Sequence, residues 1–110
     1  MGFYHNVYFK LKSDLNTEQR RAFQQGLRDL IEKIEFVLSG EIAIPAPIDR
    51  EVVVKDYDFA LLVLFGDKAD HDAYQVHAVH KAFLEQFRSY WEKVTIYDSI
   101  VIPTENDLKS

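Results

Sequence analysis

Four histidines, His5, His71, His77 and His80, are the side chains of this 110-residue chain best suited to chemistry. An imidazole titrates near neutral pH, so a histidine can take a proton from a carbon beside a carbonyl. A tyrosine hydroxyl, with an ordinary pKa of about 10, stays protonated and can donate to the enolate oxygen that then develops. The chain has no cysteine, which excludes a thiolate nucleophile, a disulfide framework and a zinc–thiolate site. Ser13, Ser39, Ser89 and Ser99 have no His or Asp partners at a recognisable spacing, and GxGxxG, P-loop, GxSxG and HExxH patterns are absent. His77 and His80 are spaced so that two imidazoles could share an ion, with His71 or Asp72 as further ligands. A catalytic zinc needs three converging protein ligands, and the HxxH pair alone does not supply them. The expectation is therefore no metal and no cofactor.

Each candidate has a plainer reading beside the chemical one. Tyr74 and His80 are six residues apart. On an unbroken helix they would stand ~9 Å apart along the axis and ~120° apart in direction, so they could act together only across a substrate or if the helix turned between them. Tyr74 at helical spacing can equally be a packing residue. His5 projects with Val7 and Phe9 from the apolar side of a strand, where a histidine is either a satisfied core residue or part of a cavity wall. His77 reads as structural, hydrogen-bonded near a helix break, and His71, between Asp70 and Asp72 at a helix start, reads as solvated. Trp91 packs at a helix end or floors a ligand pocket.

The elements that must position these residues follow from the hydrophobic pattern. Residues 3–12 alternate, with Phe3, His5, Val7, Phe9 and Leu11 on one side, as in a half-buried strand. Asn16 and Gln19 form a capping-box pair. Phe23, Leu27, Leu30, Ile31, Ile34, Val37 and Leu38 then recur at steps of three and four, predicting a long amphipathic helix that Gly40 stops. Residues 41–44 read as a short strand closed by Pro45 and Pro47, and 48–56 as a loop with extended character. Residues 57–65 form a strand apolar on both sides. A second helical stretch, capped by Asp70, runs to about Trp91 with a break near Ala78. Residues 94–102 form the last strand and 103–110 a polar tail. The chain thus reads as one domain, residues 1–110 with a core of about 3–102.

The order β-α-β-β-α-β is the split βαβ pattern of a ferredoxin-like α+β protomer. Two helices cover one side of a four-stranded sheet. In residues 59–65 Phe59, Leu61, Val63 and Phe65 oppose Ala60, Leu62 and Leu64, and leaving either row in water forfeits ~1.5–3 kcal/mol per large side chain. The second row needs a lid, which a homodimer packing sheet on sheet supplies; a monomer with loops folded over the sheet is the alternative.

Thirteen basic residues against eighteen acidic ones give a formal charge of −5, which argues against nucleic acid or an anionic membrane surface as a partner. No apolar run approaches the ~18 residues of a membrane span, and the opening residues lack the features of a secretory signal. A soluble, cytoplasmic protein is the expectation.

Four segments resemble the stress-responsive A/B barrel (Dabb) family over about residues 3–101. They are His5-Asn6-Val7-Tyr8-Phe9-Lys10, Tyr57-Asp58-Phe59-Ala60-Leu61, Tyr74-Gln75-Val76-His77-Ala78-Val79-His80, and the run from Phe87 to Asp98. The resemblance implies a dimeric α+β barrel. In a plant polyketide cyclase of the family, a Tyr and a His act as an acid/base pair in a cofactor-free aldol closure, and by position these correspond to Tyr74 and His80. The family usually has Pro where Ala78 stands, and that cyclase has a pocket His where Phe59 stands, so the pocket here is more apolar. The resulting expectation is a cavity lined by His5, Phe59, Tyr74, His77, His80 and Trp91 that takes a small carbonyl or polyketide-like molecule, with His80 as base and Tyr74 as donor. The alternatives are a non-enzymatic, stress-associated dimer and a cofactor-independent monooxygenase of the dimeric barrel type. A cavity of about 300 Å³ or more reaching His80 would favour the ligand site.

Overall fold

The alternating segment at the start of the chain becomes β1 (Phe3–Leu11), the strand on which the fold is built. The computed structural model describes residues 1–104. After β1 come α1 (Thr17–Glu32), β2 (Val37–Ala43), β3 (Phe59–Phe65), α2 (Lys68–Gln75), α3 (Ala78–Phe87), a 3-10 turn (Arg88–Tyr90) and β4 (Trp91–Ile100). The sheet order is β2-β3-β1-β4, and every pairing is antiparallel. This is the ferredoxin-like βαββαβ arrangement, with the second helical region divided in two. Residues 105–110 of the expected polar tail lie outside the described residues.

Helix α1 starts where the capping box places it: Gln19 N–H donates to Asn16 Oδ1 and Asn16 N–H to Gln19 Oε1, each at 2.8 Å. It ends at Glu32, eight residues before the expected stop at Gly40. Val37 and Leu38, which continue the helical spacing, lie in β2 instead. Gly40 sits within that strand, opposite Val63, where a Cβ would come within 2.7 Å of Ile31 Cγ1. Its role is close approach of β2 to α1. The second helical region is capped by Asp67, whose Oδ1 accepts from Asp70 N–H at 2.9 Å, rather than by Asp70. The third strand begins at Phe59, and the last begins at Trp91 because a single 3-10 turn suffices to end α3.

The core lies between the helices and one side of the sheet. Phe3, Val7, Phe9 and Leu11 of β1 and Leu61, Val63 and Phe65 of β3 pack against Phe23, Leu27 and Leu30 of α1 and Phe83 and Phe87 of α3. Aromatic rings dominate, with Phe23 meeting Phe9, Phe83 and Phe87 at centroid distances of 5.1–5.7 Å. The helices do not reach over β4. Val94, Ile96 and Ile100, which pair with Phe9, Val7 and Phe3 and share their side of the sheet, remain 39%, 51% and 55% exposed.

On the opposite side, Tyr4 and Tyr97 are exposed and Leu62 and Leu64 half-buried. The loop 44–58 covers one corner of this side, where Tyr57 meets Tyr8 edge-on at 5.0 Å and Asp56 accepts from Lys10 Nζ at 2.7 Å. Among the described residues, nothing covers Tyr4 and Tyr97, which remain 45% and 63% exposed.

Candidate functional site

Three of the expected residues converge. His5 comes from β1, Tyr74 from the last turn of α2 and His80 from the first turn of α3. Tyr74 and His80 meet edge-on with ring centroids 4.9 Å apart, and Tyr74 meets His5 at 5.7 Å. A break at Val76–His77 makes this possible, since a continuous helix would direct the two rings apart. Ala78 does not force the break. His77 is the N-cap of α3, in extended backbone, and its Nδ1 accepts from Val79 N–H at 3.1 Å. Its Nε2 lies 3.0 Å from Glu35 Oε2.

The three rings line a cavity of about 140 Å³ together with Trp91, Leu30, Leu61, Phe83, Leu84 and the β4 residues Val94 and Ile96. It lies where the helices stop short of β4. Its volume is about half of the smallest value expected for a ligand site. Trp91 is at its wall, packed on Phe9 at 5.2 Å. Phe59 is not among the lining residues; its ring packs on Phe23. His77 is likewise outside the cavity, as is the HxxH pairing with His80. A larger hollow of about 460 Å³ lies on the opposite side of the sheet, lined by Tyr8, Lys10, Val54, Asp56, Tyr57, Lys93, Thr95 and Tyr97 and by none of the histidines.

Electrostatics set the protonation states. Burial lowers the His80 pKa to about 4, with nearby His5 and His71 adding to the effect and a hydrogen bond to the Gln75 backbone opposing it. His80 is therefore neutral at pH 7, and among the described residues its buried Nδ1 has no hydrogen-bond partner. Burial raises the Tyr74 hydroxyl well above its ordinary range, so it stays protonated at neutral pH. Burial also holds His5 below the ordinary histidine value, although Asp98 pulls the other way.

Two residues join the site that sequence reasoning did not assign to it. Asp98 pairs with His5 across the β1–β4 register, and its Oδ1 lies 2.5 Å from His5 Nδ1. The signal for it was available: a carboxylate stands in the row Val94, Ile96, Asp98, Ile100, which is otherwise apolar. His71 is not solvated. Its side chain is 12% exposed, stacked on Phe3 at 4.5 Å and 4.9 Å from the His5 ring.

A four-stranded antiparallel sheet in βαββαβ order with its helices packed on one side places the chain among the ferredoxin-like α+β proteins. The chain belongs to the stress responsive A/B barrel domain (Dabb) family, whose profile matches residues 3–101. Among solved structures it is similar to a Dabb family protein with a ferredoxin-like fold from Mesorhizobium loti (22% identity, 93% of this chain and 98% of that one, TM-score 0.76). It is also similar to the hydroxynitrile lyase of Passiflora edulis (17% identity, 94% and 95% coverage, TM-score 0.80). A dimeric ferredoxin-like protein of unknown function from Thermobifida fusca matches at 20% identity over 92% of each chain, with a TM-score of 0.74. These likenesses establish the fold. No curated protein sequence matches significantly. Among the described residues, no helix is long and apolar enough to cross a membrane.

Proposed function

We propose that the chain binds a small carbonyl compound in the His5–Tyr74–His80 cavity and catalyses cofactor-free proton transfer on it. His80 Nδ1 takes a proton from the carbon beside the carbonyl and becomes imidazolium, while the Tyr74 hydroxyl hydrogen-bonds the enolate oxygen. The observation that carries this reading is the 4.9 Å meeting of the Tyr74 and His80 rings, with the lone nitrogen of His80 buried and unpartnered. A base whose conjugate acid has a pKa of about 4 removes only acidic C–H protons, so the fitting substrate has its C–H between two carbonyls. The 140 Å³ cavity fits a small dicarbonyl compound or the end of a longer polyketide-like one. That a hydroxynitrile lyase shares the fold is consistent with lyase or aldol-type chemistry in such a cavity.

The protein works as a homodimer in this reading, with the uncovered side of the sheet packed on that of a second copy; the Thermobifida fusca relative is a dimer. The narrowness of the cavity favours a second reading, a non-enzymatic dimer in which the three rings are packing residues. Deuterium exchange at the activated carbon of small β-keto esters, followed by NMR, separates the two. The catalytic reading requires exchange faster than in buffer, lost in His80→Gln and reduced in Tyr74→Phe. Exchange at the buffer rate, or unchanged in His80→Gln, overturns it in favour of the structural dimer.

A further inference from the structure

We propose that His5, His71 and Asp98 form a binding site for a divalent transition-metal ion of the zinc type at the wall of the cavity. The three come from β1, α2 and β4, and one ligand atom from each lies within 4.8 Å of the other two. Ligand bonds of ~2.0 Å put two donors on a tetrahedral ion about 3.3 Å apart. The present separations are 2.5 Å between His5 Nδ1 and Asp98 Oδ1 and 3.9 Å between His71 Nε2 and Asp98 Oδ2. Shifts of under about 1 Å bring each of these two pairs to ligand spacing, and closing all three donors, now within 4.8 Å of one another, takes shifts of up to about 1.5 Å. Two imidazoles and one carboxylate suit zinc-class ions, whereas a calcium site would need several more oxygens.

The surroundings orient the histidine that has no other assignment. His71 Nδ1 lies 3.2 Å from Asp72 Oδ1 and donates to it. Lys68 Nζ in turn donates to Asp72 Oδ2 at 2.8 Å and holds that carboxylate in place. A carboxylate on one ring nitrogen leaves the lone pair on the other, which is the usual support of a metal-bound histidine. The lone pair on His71 Nε2 is the one that faces Asp98, and in the ion-free protein the Gln75 amide occupies it at 3.3 Å. Binding displaces that amide and the His5–Asp98 hydrogen bond, with the proton of the neutral His5 ring carried on its other nitrogen. Asp98, with its side chain 39% exposed, supplies the route in from solvent. With three protein ligands, a tetrahedral ion would keep its fourth position for water.

The site can be tested without turnover, independently of the acid–base reading. Metal-stripped protein is titrated with Co²⁺, followed by its visible ligand-field absorption, and with Zn²⁺ by calorimetry. The expected result is one ion per chain. His71→Gln and Asp98→Asn should each weaken binding at least tenfold, Asp72→Asn about tenfold, and His77→Gln not at all. In the wild type, Zn²⁺ should move the ring ¹⁵N resonances of His5 and His71 and leave that of His77 in place. This readout holds even where a variant folds poorly. Absence of stoichiometric binding, or equal binding by His71→Gln and Asp98→Asn, overturns the proposal, as does a Zn²⁺ response at His77 with none at His71.

Discussion

Tyr74 closes one helix and His80 opens the next, and their rings meet edge-on at 4.9 Å across the break between them. The juxtaposition depends on His77, whose backbone (φ −65°, ψ 143°) and capping Nδ1 start α3 afresh. That backbone is already the conformation a residue adopts before proline, and Ala78 is the first residue of α3, where proline is well tolerated. Ala78→Pro should therefore preserve the fold and be neutral or stabilising by about 0.4–1 kcal/mol. His77→Ala, which removes the cap, should cost about 1 kcal/mol. Urea melts of the two variants check both signs; a strongly destabilised Ala78→Pro protein would mean the break is not held this way.

The buried His80 makes stability depend on pH. In the unfolded chain a histidine titrates near 6.5, and in the folded protein His80 titrates near 4. Between these values the unfolded state binds more protons, so acidification favours unfolding. The contribution is full above about pH 6.5 and falls by up to about 1.4 kcal/mol per pH unit until about pH 4. His5 is shifted in the same direction. Comparing melts near pH 7.5 and pH 5, the wild type should lose about 1–2 kcal/mol more than His80→Gln. Equal losses in the two proteins would show that His80 is not held neutral.

What the sequence disclosed, and what it hid, divides by range. Local signals read correctly: the alternation of β1 separates buried Phe3, His5, Val7, Phe9 and Leu11 from their neighbours, and the Asn16–Gln19 box marks the start of α1. The end of α1 was misread because Ile34, Val37 and Leu38 continue a helical spacing although the last two belong to a strand. Ile34 itself is buried, so hydrophobicity alone does not distinguish the two outcomes. In the site, His5 stood out by its place on the apolar side of β1, whereas the pairing of Tyr74 with His80 came from the family resemblance and not from their spacing, which on an unbroken helix separates them. Asp98 and His71 did not stand out, because their places follow from the β1–β4 register and from the stacking of His71 on Phe3, which no local spacing encodes.

Gly26 stands where α1 has no room for a side chain. In a helix interior glycine costs about 1 kcal/mol relative to alanine, so Gly26→Ala would be stabilising on propensity alone. A Cβ there would lie 2.5 Å from Phe87 Cε2 and 3.2 Å from Phe83 Cδ2. Phe87 is wedged against Phe23, Phe83 and Tyr90 and has little room to yield. Overpacking of this kind costs about 1–3 kcal/mol, which outweighs the propensity gain. Gly26→Ala should unfold at lower urea concentration than the wild type, and a higher midpoint would show that the α1–α3 contact can relax.

The uncovered side of the sheet leads to the last expectation. Tyr4 and Tyr97 are 45% and 63% exposed there, beside half-buried Leu62 and Leu64, and the loop 44–58 meets this side through Tyr57 on Tyr8. A second copy covering this row gains ~1.5–3 kcal/mol for each large side chain it removes from water. A charge placed at Tyr97, on the edge strand β4 of this side, would have to be buried unpaired in the dimer but stays solvated in the monomer. Tyr97→Glu should thus convert a micromolar-stable dimer into monomers, with the protomer's own stability changed by no more than about 0.5 kcal/mol, as for an ordinary surface substitution. Sedimentation velocity across the micromolar range measures the first effect and a urea melt at low concentration the second. A wild-type protein that sediments as a lone subunit, or a Tyr97→Glu dimer as tight as the wild type, would mean that this side of the sheet is not the contact between copies.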